Sequence, residues 1–134
     1  NLKINGNQII NLKDVRFPQN LQYLELNNNQ IKNLYGVIFN KNLKILYLND
    51  NQITDLRDVR FPLNLRVLEL NNNQITNFYD VILPGYLEKL YLNNNQIQDL
   101  RDIDWPIDLI ELELEGNQIP ESEQIHIPGV IIRY

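Results

Sequence analysis

Leu21-Gln-Tyr-Leu-Glu-Leu-Asn-Asn-Asn-Gln-Ile31 is the stretch of sequence that decides the fold, because it recurs along the whole chain. Matching stretches start 22 residues apart, with no insertion or deletion, at 43–53, 65–75, 87–97 and 109–119. A partial copy occupies 2–9, and the final residues 127–134 align with 83–90. A fixed period of this length is typical of solenoids, in which each repeat builds one coil that stacks on the next.

Each repeat contains a short strand that buries one of its faces. Leu24 and Leu26 alternate with Tyr23 and Glu25, and this period of two is the pattern of a strand packed against a core. A returning segment then supplies the other apolar positions of the repeat: Ile31, Leu34, Val37 and Phe39. Both parts of the repeat therefore contribute to one continuous core.

The returning segment predicts turns rather than long helices. The step of three residues from Leu34 to Val37 suits one tight helical or 3₁₀ turn. Proline follows in four repeats and would end any helix there: Pro18, Pro62, Pro84 and Pro106. We predict an α/β-type repeat solenoid of right-handed coils. Six or seven parallel strands form its concave face, short 3₁₀ or irregular turns form its convex face, and there is little or no α-helix.

The sequence resembles the leucine-rich-repeat family, whose L-x-x-L-x-L-x-x-N-x-I signature it carries almost continuously. Within that family, Asn-Gln-Ile-Thr-Asp-Leu at 51–56 is most similar to the 22-residue internalin and protein-phosphatase-regulator types. We expect a single domain over 1–134. Its whole repeats are 21–42, 43–64, 65–86, 87–108 and 109–130, and its partial repeats are 2–20 and 131–134.

One asparagine recurs where the chain must turn away from each strand. A buried amide at this point can satisfy backbone groups of its own coil and of neighbouring coils, which the apolar core cannot do. The same asparagine has this structural role in the family that the sequence resembles. The alternative is a row of amides that binds a ligand. We predict a structural ladder at Asn7, Asn29, Asn51, Asn73, Asn95 and Asn117.

Composition excludes several classes of function. The net charge of −5 and the pI near 4.8 argue against nucleic-acid binding, which depends on clustered Lys and Arg. No stretch approaches the roughly 20 apolar residues that membrane insertion by a helix requires. Cysteine is absent, so neither a disulfide framework nor a cysteine-ligated zinc site is expected. The cellular compartment stays open.

The residues needed for catalysis are scarce. Ser122 is the only serine and His126 the only histidine, so we find no convincing nucleophile–base pair. Their closeness in the sequence is more simply explained by a polar capping loop. There is also no glycine-rich phosphate loop and no cluster of metal ligands. We therefore predict a protein that is not an enzyme and needs no cofactor.

Three acidic residues near the end of the array present an alternative. Glu111, Glu113 and Glu115 alternate along one strand and therefore project from the same face. Such carboxylates could bind a cation or serve acid–base chemistry. A solvated acidic ridge is the simpler interpretation, and we predict no metal site.

The outward strand residues are the remaining candidates for function. Tyrosine is enriched at protein interfaces, although aromatic and β-branched residues also simply suit exposed strands. If this face binds a protein or an extended peptide, the predicted contact residues are Tyr23, Glu25, Ile45, Tyr47, Val67, Glu69, Tyr91 and Glu113.

A structural role is the main alternative to recognition, because the outward surface is nearly periodic. In a strict 22-residue phase, Leu2 and Tyr134 occupy the same position of the repeat. We therefore expect either a segment cut from a longer array or a spacer that self-associates end to end. Head-to-tail contacts of this kind would be heterologous and would generate a filament.

Overall fold

The computed structural model describes residues 1–134 and contains one parallel sheet whose seven strands lie in chain order. A 3₁₀ helix at Glu121–Glu123 is the only helical segment. The prediction of a solenoid with a single parallel sheet and essentially no α-helix is confirmed. The strands are β1 (Leu2–Lys3), β2 (Tyr23–Glu25), β3 (Ile45–Tyr47), β4 (Val67–Glu69), β5 (Lys89–Tyr91), β6 (Glu111–Glu113) and β7 (Ile131–Arg133).

The structure contains no helix with the length and apolar surface that crossing a bilayer requires.

The register of the last strand differs from the strict 22-residue phase. Ile132 of β7 pairs with Leu112 and thereby takes the repeat position of Leu2, which pairs with Leu24. The expectation that Tyr134 holds this position is wrong by two residues. The returning segment that precedes β7 contains the tight 3₁₀ helix and is two residues shorter than the others. A strict period of 22 therefore overestimates the position of the last strand by two residues.

Tyr134 has a different role at this end of the solenoid. Its hydroxyl accepts the backbone N–H of Ile125 at 2.6 Å and donates to the Ile125 carbonyl at 3.1 Å. One side chain therefore satisfies both backbone groups of a residue in the last returning segment.

One apolar core of 28 buried residues runs through all the coils. The predicted core positions of the repeat at 21–42 are all buried: Leu24, Leu26, Ile31, Leu34, Val37 and Phe39. On the returning side, Phe17, Phe39 and Phe61 stack with ring centroids 6.0 and 6.4 Å apart. These separations exceed the spacing of about 4.8 Å between strands, as expected when the sheet lies on the inner, concave side.

Every returning segment except the last begins with a side-chain–backbone turn. Asn33 Oδ1 accepts the N–H of Tyr35 at 3.1 Å, and the Val37 N–H then donates to the Leu34 carbonyl at 3.2 Å. This confirms a tight turn across the three-residue step. The turn is not helical, because Gly36 between them has a φ of +70°.

Left-handed backbone recurs at two positions of the repeat. Only Gly, Asn and Asp occupy these positions, and these are the residue types for which a positive φ costs least. The first set lies in the turn after each strand: Gly6, Asn28, Asp50, Asn72, Asn94 and Gly116. The second set lies in the convex turn: Asp14, Gly36, Asp58, Asp80 and Asp102.

The predicted asparagine ladder ties neighbouring coils together at the end of each strand. Asn73 Nδ2 donates to the carbonyl of Leu48 in the preceding coil at 3.0 Å and to that of Leu70 in its own coil at 3.1 Å. Its Oδ1 accepts the backbone N–H of Ile53 at 2.9 Å. The same bonds recur at Asn29, Asn51 and Asn95, which are buried like Asn73.

The two ends of the ladder are less enclosed. Asn7 is exposed and donates only to Ile4 and Asn5 of its own coil. Asn117 is half-buried but keeps the bonds that join it to the carbonyl of Leu92 and the N–H of Ile97. The cross-coil function therefore starts with Asn29.

Replacing Asn73 with Ala should lower the free energy of unfolding by about 2–4 kcal/mol, because the buried N–H of Ile53 loses its only acceptor. The matched control is Asn7→Ala, at the same repeat position but without cross-coil bonds. Urea unfolding followed by circular dichroism measures both changes. Equal losses for the two variants would contradict the assignment of the cross-coil bonds as the source of stability.

Candidate functional site

The outward face of the sheet carries one row of charged and aromatic residues that crosses all seven strands. In-register pairing places each member directly beside the next on the neighbouring strand. We call this the central row, and in order it consists of Lys3, Glu25, Tyr47, Glu69, Tyr91, Glu113 and Arg133. Basic residues therefore close both ends, and glutamate alternates with tyrosine between them.

A second outward row runs beside the central row and is more apolar at its start. Its members pair in register in the same way: Tyr23, Ile45, Val67, Lys89, Glu111 and Ile131. All the predicted contact residues thus lie on one continuous surface. Most are half-buried rather than exposed, because each side chain packs against those of adjacent strands.

The first glutamate of the central row is already enclosed by its neighbours. Glu25 accepts the hydroxyl of Tyr23, the amide of Asn5 at 2.6 Å and the ammonium of Lys3 at 3.0 Å. The hydrogen bond from Tyr23, followed by those from Asn5 and Lys3, lowers the pKa of Glu25. Glu25 is only 8% exposed, so this predicted contact residue has little surface left for a partner.

The tyrosines at this end pack together. The rings of Tyr23 and Tyr47 meet edge to face with centroids 5.3 Å apart. Burial is the main reason that the pKa values of both hydroxyls are raised, and nearby glutamates add to the effect. Both phenols therefore stay protonated at neutral pH and can donate hydrogen bonds.

The acidic residues at the other end are paired rather than simply solvated. Arg133 Nη1 lies 2.7 Å from Glu111 Oε1 and 2.8 Å from Glu113 Oε1. Glu111 also accepts the Tyr91 hydroxyl at 2.8 Å and lies 3.1 Å from Lys89 Nζ. The predicted solvated ridge is therefore wrong for Glu111 and Glu113, because Arg133 lies in register beside Glu113 and its guanidinium reaches both carboxylates.

The centre of the face differs from both ends. Glu69 lies between Tyr47 and Tyr91 in the central row, and all three side chains are half-buried. Glu69 Oε2 accepts the side-chain amide of Asn49 at 2.6 Å, which orients the carboxylate. None of the ion pairs in the structure involves Glu69.

A second asparagine ladder, which was not predicted from the sequence, borders this face. Asn49 Oδ1 accepts the backbone N–H of Asn71, and the bond recurs from coil to coil at 2.8–2.9 Å. In alternate coils the amide nitrogen of this asparagine also donates to a glutamate of the central row, as Asn93 does to Glu113 at 2.7 Å. The signal available in the sequence was the recurrence of asparagine two residues before the buried ladder.

No catalytic arrangement is evident. Ser122 and His126 are both exposed and make no hydrogen bond with each other. No group of three or more His, Asp and Glu side chains is placed to hold a metal ion. A groove of about 500 Å³ is lined by Arg16, Phe17 and Ile38 on the convex side, away from the strand face.

Comparison with known proteins identifies the repeat. The family profile described as "Leucine Rich repeats (2 copies)" matches residues 19–60 and 63–105, which together make up more than half of the chain. No curated protein matches the chain.

Solved structures with the same fold come from two bacteria. An internalin (inlF) from Listeria monocytogenes is 24% identical with a TM-score of 0.64, over 84% of this chain and 34% of the internalin. A leucine-rich-repeat protein from Leptospira interrogans is 28% identical with a TM-score of 0.68, over 94% and 37% respectively. Internalin C2 from Listeria monocytogenes is 23% identical with a TM-score of 0.60, over 97% and 78%. The chain thus spans about a third of the length of the first two.

Replacing Arg133 with Gln should raise the pKa of Glu111 from about 2 toward the ordinary value of 4.5, because Arg133 is the main cause of the depression. An NMR titration of the side-chain carboxyl groups measures this shift. Arg57→Gln on the convex side is the control and should leave Glu111 unchanged.

The same contact links stability to pH. Between about 2 and 4.5 the unfolded state binds more protons at Glu111 than the folded state, so stability rises with pH. The advantage of the wild type over Arg133→Gln should be complete above pH 4.5 and should disappear as pH falls toward about 2. An advantage that persists at the lowest pH would show that Arg133 stabilises the fold by packing instead.

Proposed function

Because the chain belongs to the leucine-rich-repeat family, we propose that the region 1–134 acts as one recognition domain that binds a protein or an extended peptide on its concave strand face. Domains of this family are typically protein-binding scaffolds and are generally non-catalytic. The observation that carries the proposal is the central row, which presents Tyr47 and Tyr91 on a continuous sheet surface.

The chemistry of the face suits a macromolecule. Tyr47 and Tyr91 both offer aromatic area, and such side chains supply much of the binding energy at protein interfaces. Ile45 and Val67 extend the apolar part of the same surface. An open sheet encloses little of a small molecule, whereas it can contact an extended partner over many strands.

The remaining predicted contact residues differ in how accessible they are to a partner. Glu69 is the glutamate of the central row that has no ion pair, while Glu113 shares Arg133 and Glu25 is nearly covered. A partner would therefore meet Tyr47, Glu69 and Tyr91 first and the ends of the row less directly. Tyr23 supports the site by packing against Tyr47.

Replacing Tyr47 and Tyr91 together with Ala should reduce capture of the partner about tenfold or more, as expected for the loss of two interface anchors. The control is the convex pair Tyr35→Ala and Tyr79→Ala, whose side chains are 67% and 70% exposed and are also 44 residues apart. Tagged variants are compared by quantitative pull-down from a lysate of the source organism. Loss of capture only in the convex double variant would contradict the proposal.

A second candidate is a spacer or filament segment that stacks end to end, and the distribution of charge favours it. Residues 1–64 contain eight basic and five acidic residues, whereas residues 65–134 contain four basic and twelve. The solenoid is therefore positive toward β1 and negative toward β7. Opposite ends would attract each other in a head-to-tail contact, in which the edge strands pair.

Sedimentation velocity of the 134-residue chain tests this candidate. If stacking occurs, the average mass should rise with protein concentration at low ionic strength and fall as salt is added, because salt screens the attraction between the ends. A monomer at every concentration and salt would exclude stacking.

A further inference from the structure

The three glutamates of the central row are equivalent by register but differ in their neighbours. Glu25 has Lys3 on one adjacent strand, and Glu113 has Arg133. In both cases the chain itself supplies the cation, at 3.0 Å and 2.8 Å respectively. Glu69 has a tyrosine on each side and no cation.

Lys3 shows how a cation occupies such a position. Its Nζ lies 3.0 Å from Glu25 Oε1 and 5.4 Å from the centroid of the Tyr23 ring, so the ammonium contacts a carboxylate and an aromatic face together. The Lys3 side chain itself is 63% exposed and reaches this corner from the solvent side of the sheet. An external basic side chain would approach the face in the same way.

Two basic residues of the coils around Glu69 form ion pairs with other carboxylates. Arg66 pairs with Glu88 at 3.0 Å and with Asp108 at 3.7 Å. Lys89, in the neighbouring strand, pairs with Glu111 at 3.1 Å. No basic side chain of this chain therefore neutralises Glu69.

The carboxylate of Glu69 is oriented by one side chain of the preceding coil. The amide of Asn49 binds Oε2 at 2.6 Å, while Oε1 makes no hydrogen bond. Tyr47 and Tyr91 bound the site along the row, about 4.8 Å to either side at the backbone. A single carboxylate with a tyrosine in register on each neighbouring strand suits an ammonium or guanidinium group and supplies too few oxygen atoms for a divalent metal ion.

We propose that Glu69 receives a Lys or Arg side chain of a protein partner, and that Tyr47 and Tyr91 enclose its aliphatic and charged parts. This inference rests on the proposed binding of a protein partner to the strand face, and it specifies that the partner places a basic group on Glu69. An arginine would pair its guanidinium with Oε1 and stack on a tyrosine ring, whereas a lysine would repeat the contact of Lys3.

The test uses a blocked hexapeptide of alternating glycine and arginine, with a citrulline peptide of the same shape as the neutral probe. Titration into the labelled chain should shift the NMR signals of Tyr47, Tyr91 and the Asn49 side-chain amide. Glu69→Gln should lower the affinity for the arginine peptide about fivefold or more, as expected for the loss of a charge pair. The matched control is Glu115→Gln, an exposed carboxylate without an ion pair in the turn after β6, and it should change the affinity less than twofold.

A variant that opens a second site strengthens the test. Lys3→Gln removes the ammonium group that pairs with Glu25. The arginine peptide should then shift the NMR signals of Tyr23, while the shifts at Tyr47 and Tyr91 persist. Equal weakening by Glu69→Gln and Glu115→Gln, or equal binding of the citrulline peptide, would overturn the inference, because either result would indicate only general attraction to an acidic surface.

The outcomes separate this inference from the proposed function. If the Tyr47 and Tyr91 double variant loses the captured partner while Glu69→Gln retains both the partner and the arginine peptide, the face binds proteins but the inference is wrong. If Glu69→Gln loses the peptide while the double tyrosine variant still captures the partner, the cation site stands and the proposed recognition surface is wrong.

Discussion

The buried amide at the end of each strand is the interaction on which the solenoid depends. A coil of this kind has to leave its strand inside an apolar core, where backbone carbonyl and N–H groups have no water to bind. Asn29, Asn51, Asn73 and Asn95 solve this problem by donating to carbonyls of two coils and accepting an N–H from the preceding one. Since each amide reaches a fixed distance, it also sets how closely the coils can stack, and the strands follow in exact register.

The positions where the backbone must be left-handed carry a small set of residue types. The turn after each strand requires a left-handed residue, as does the convex turn of every coil before the last, and Asn, Asp or Gly supplies it. These turns keep the returning segment short, and its Phe residues stack more widely than the strands do. The resulting curvature makes the strand face the inner surface, so side chains from five or more coils converge on a partner that lies against it.

Alternation between coils gives this inner surface its chemical character. Glutamate and tyrosine exchange places along the central row, and alternate asparagines of the bordering ladder bind the glutamates. Cations from the first and last strands neutralise the outer glutamates, which leaves Glu69 between two tyrosines as the one open acidic position of the row. A nearly periodic sequence thus produces a surface with a distinct centre, because its ends differ from its middle.

The sequence by itself determined the parallel sheet, the core positions, the buried asparagines and the rows of outward side chains. All of these follow from a strict period, since residues 22 apart occupy the same place in every coil.

Only the tertiary structure decided which side chains of different coils meet. The last repeat is shorter by two residues, so Arg133 lies beside Glu113 and not where the period alone would put it, and the expected acidic ridge becomes an ion-paired cluster. Glu25 is likewise covered by Lys3, Asn5 and Tyr23, two of which belong to a coil that precedes it by about twenty residues. The period places Lys3 in the coil position that precedes Glu25, but the distances at which side chains of neighbouring coils meet depend on how the coils stack in space.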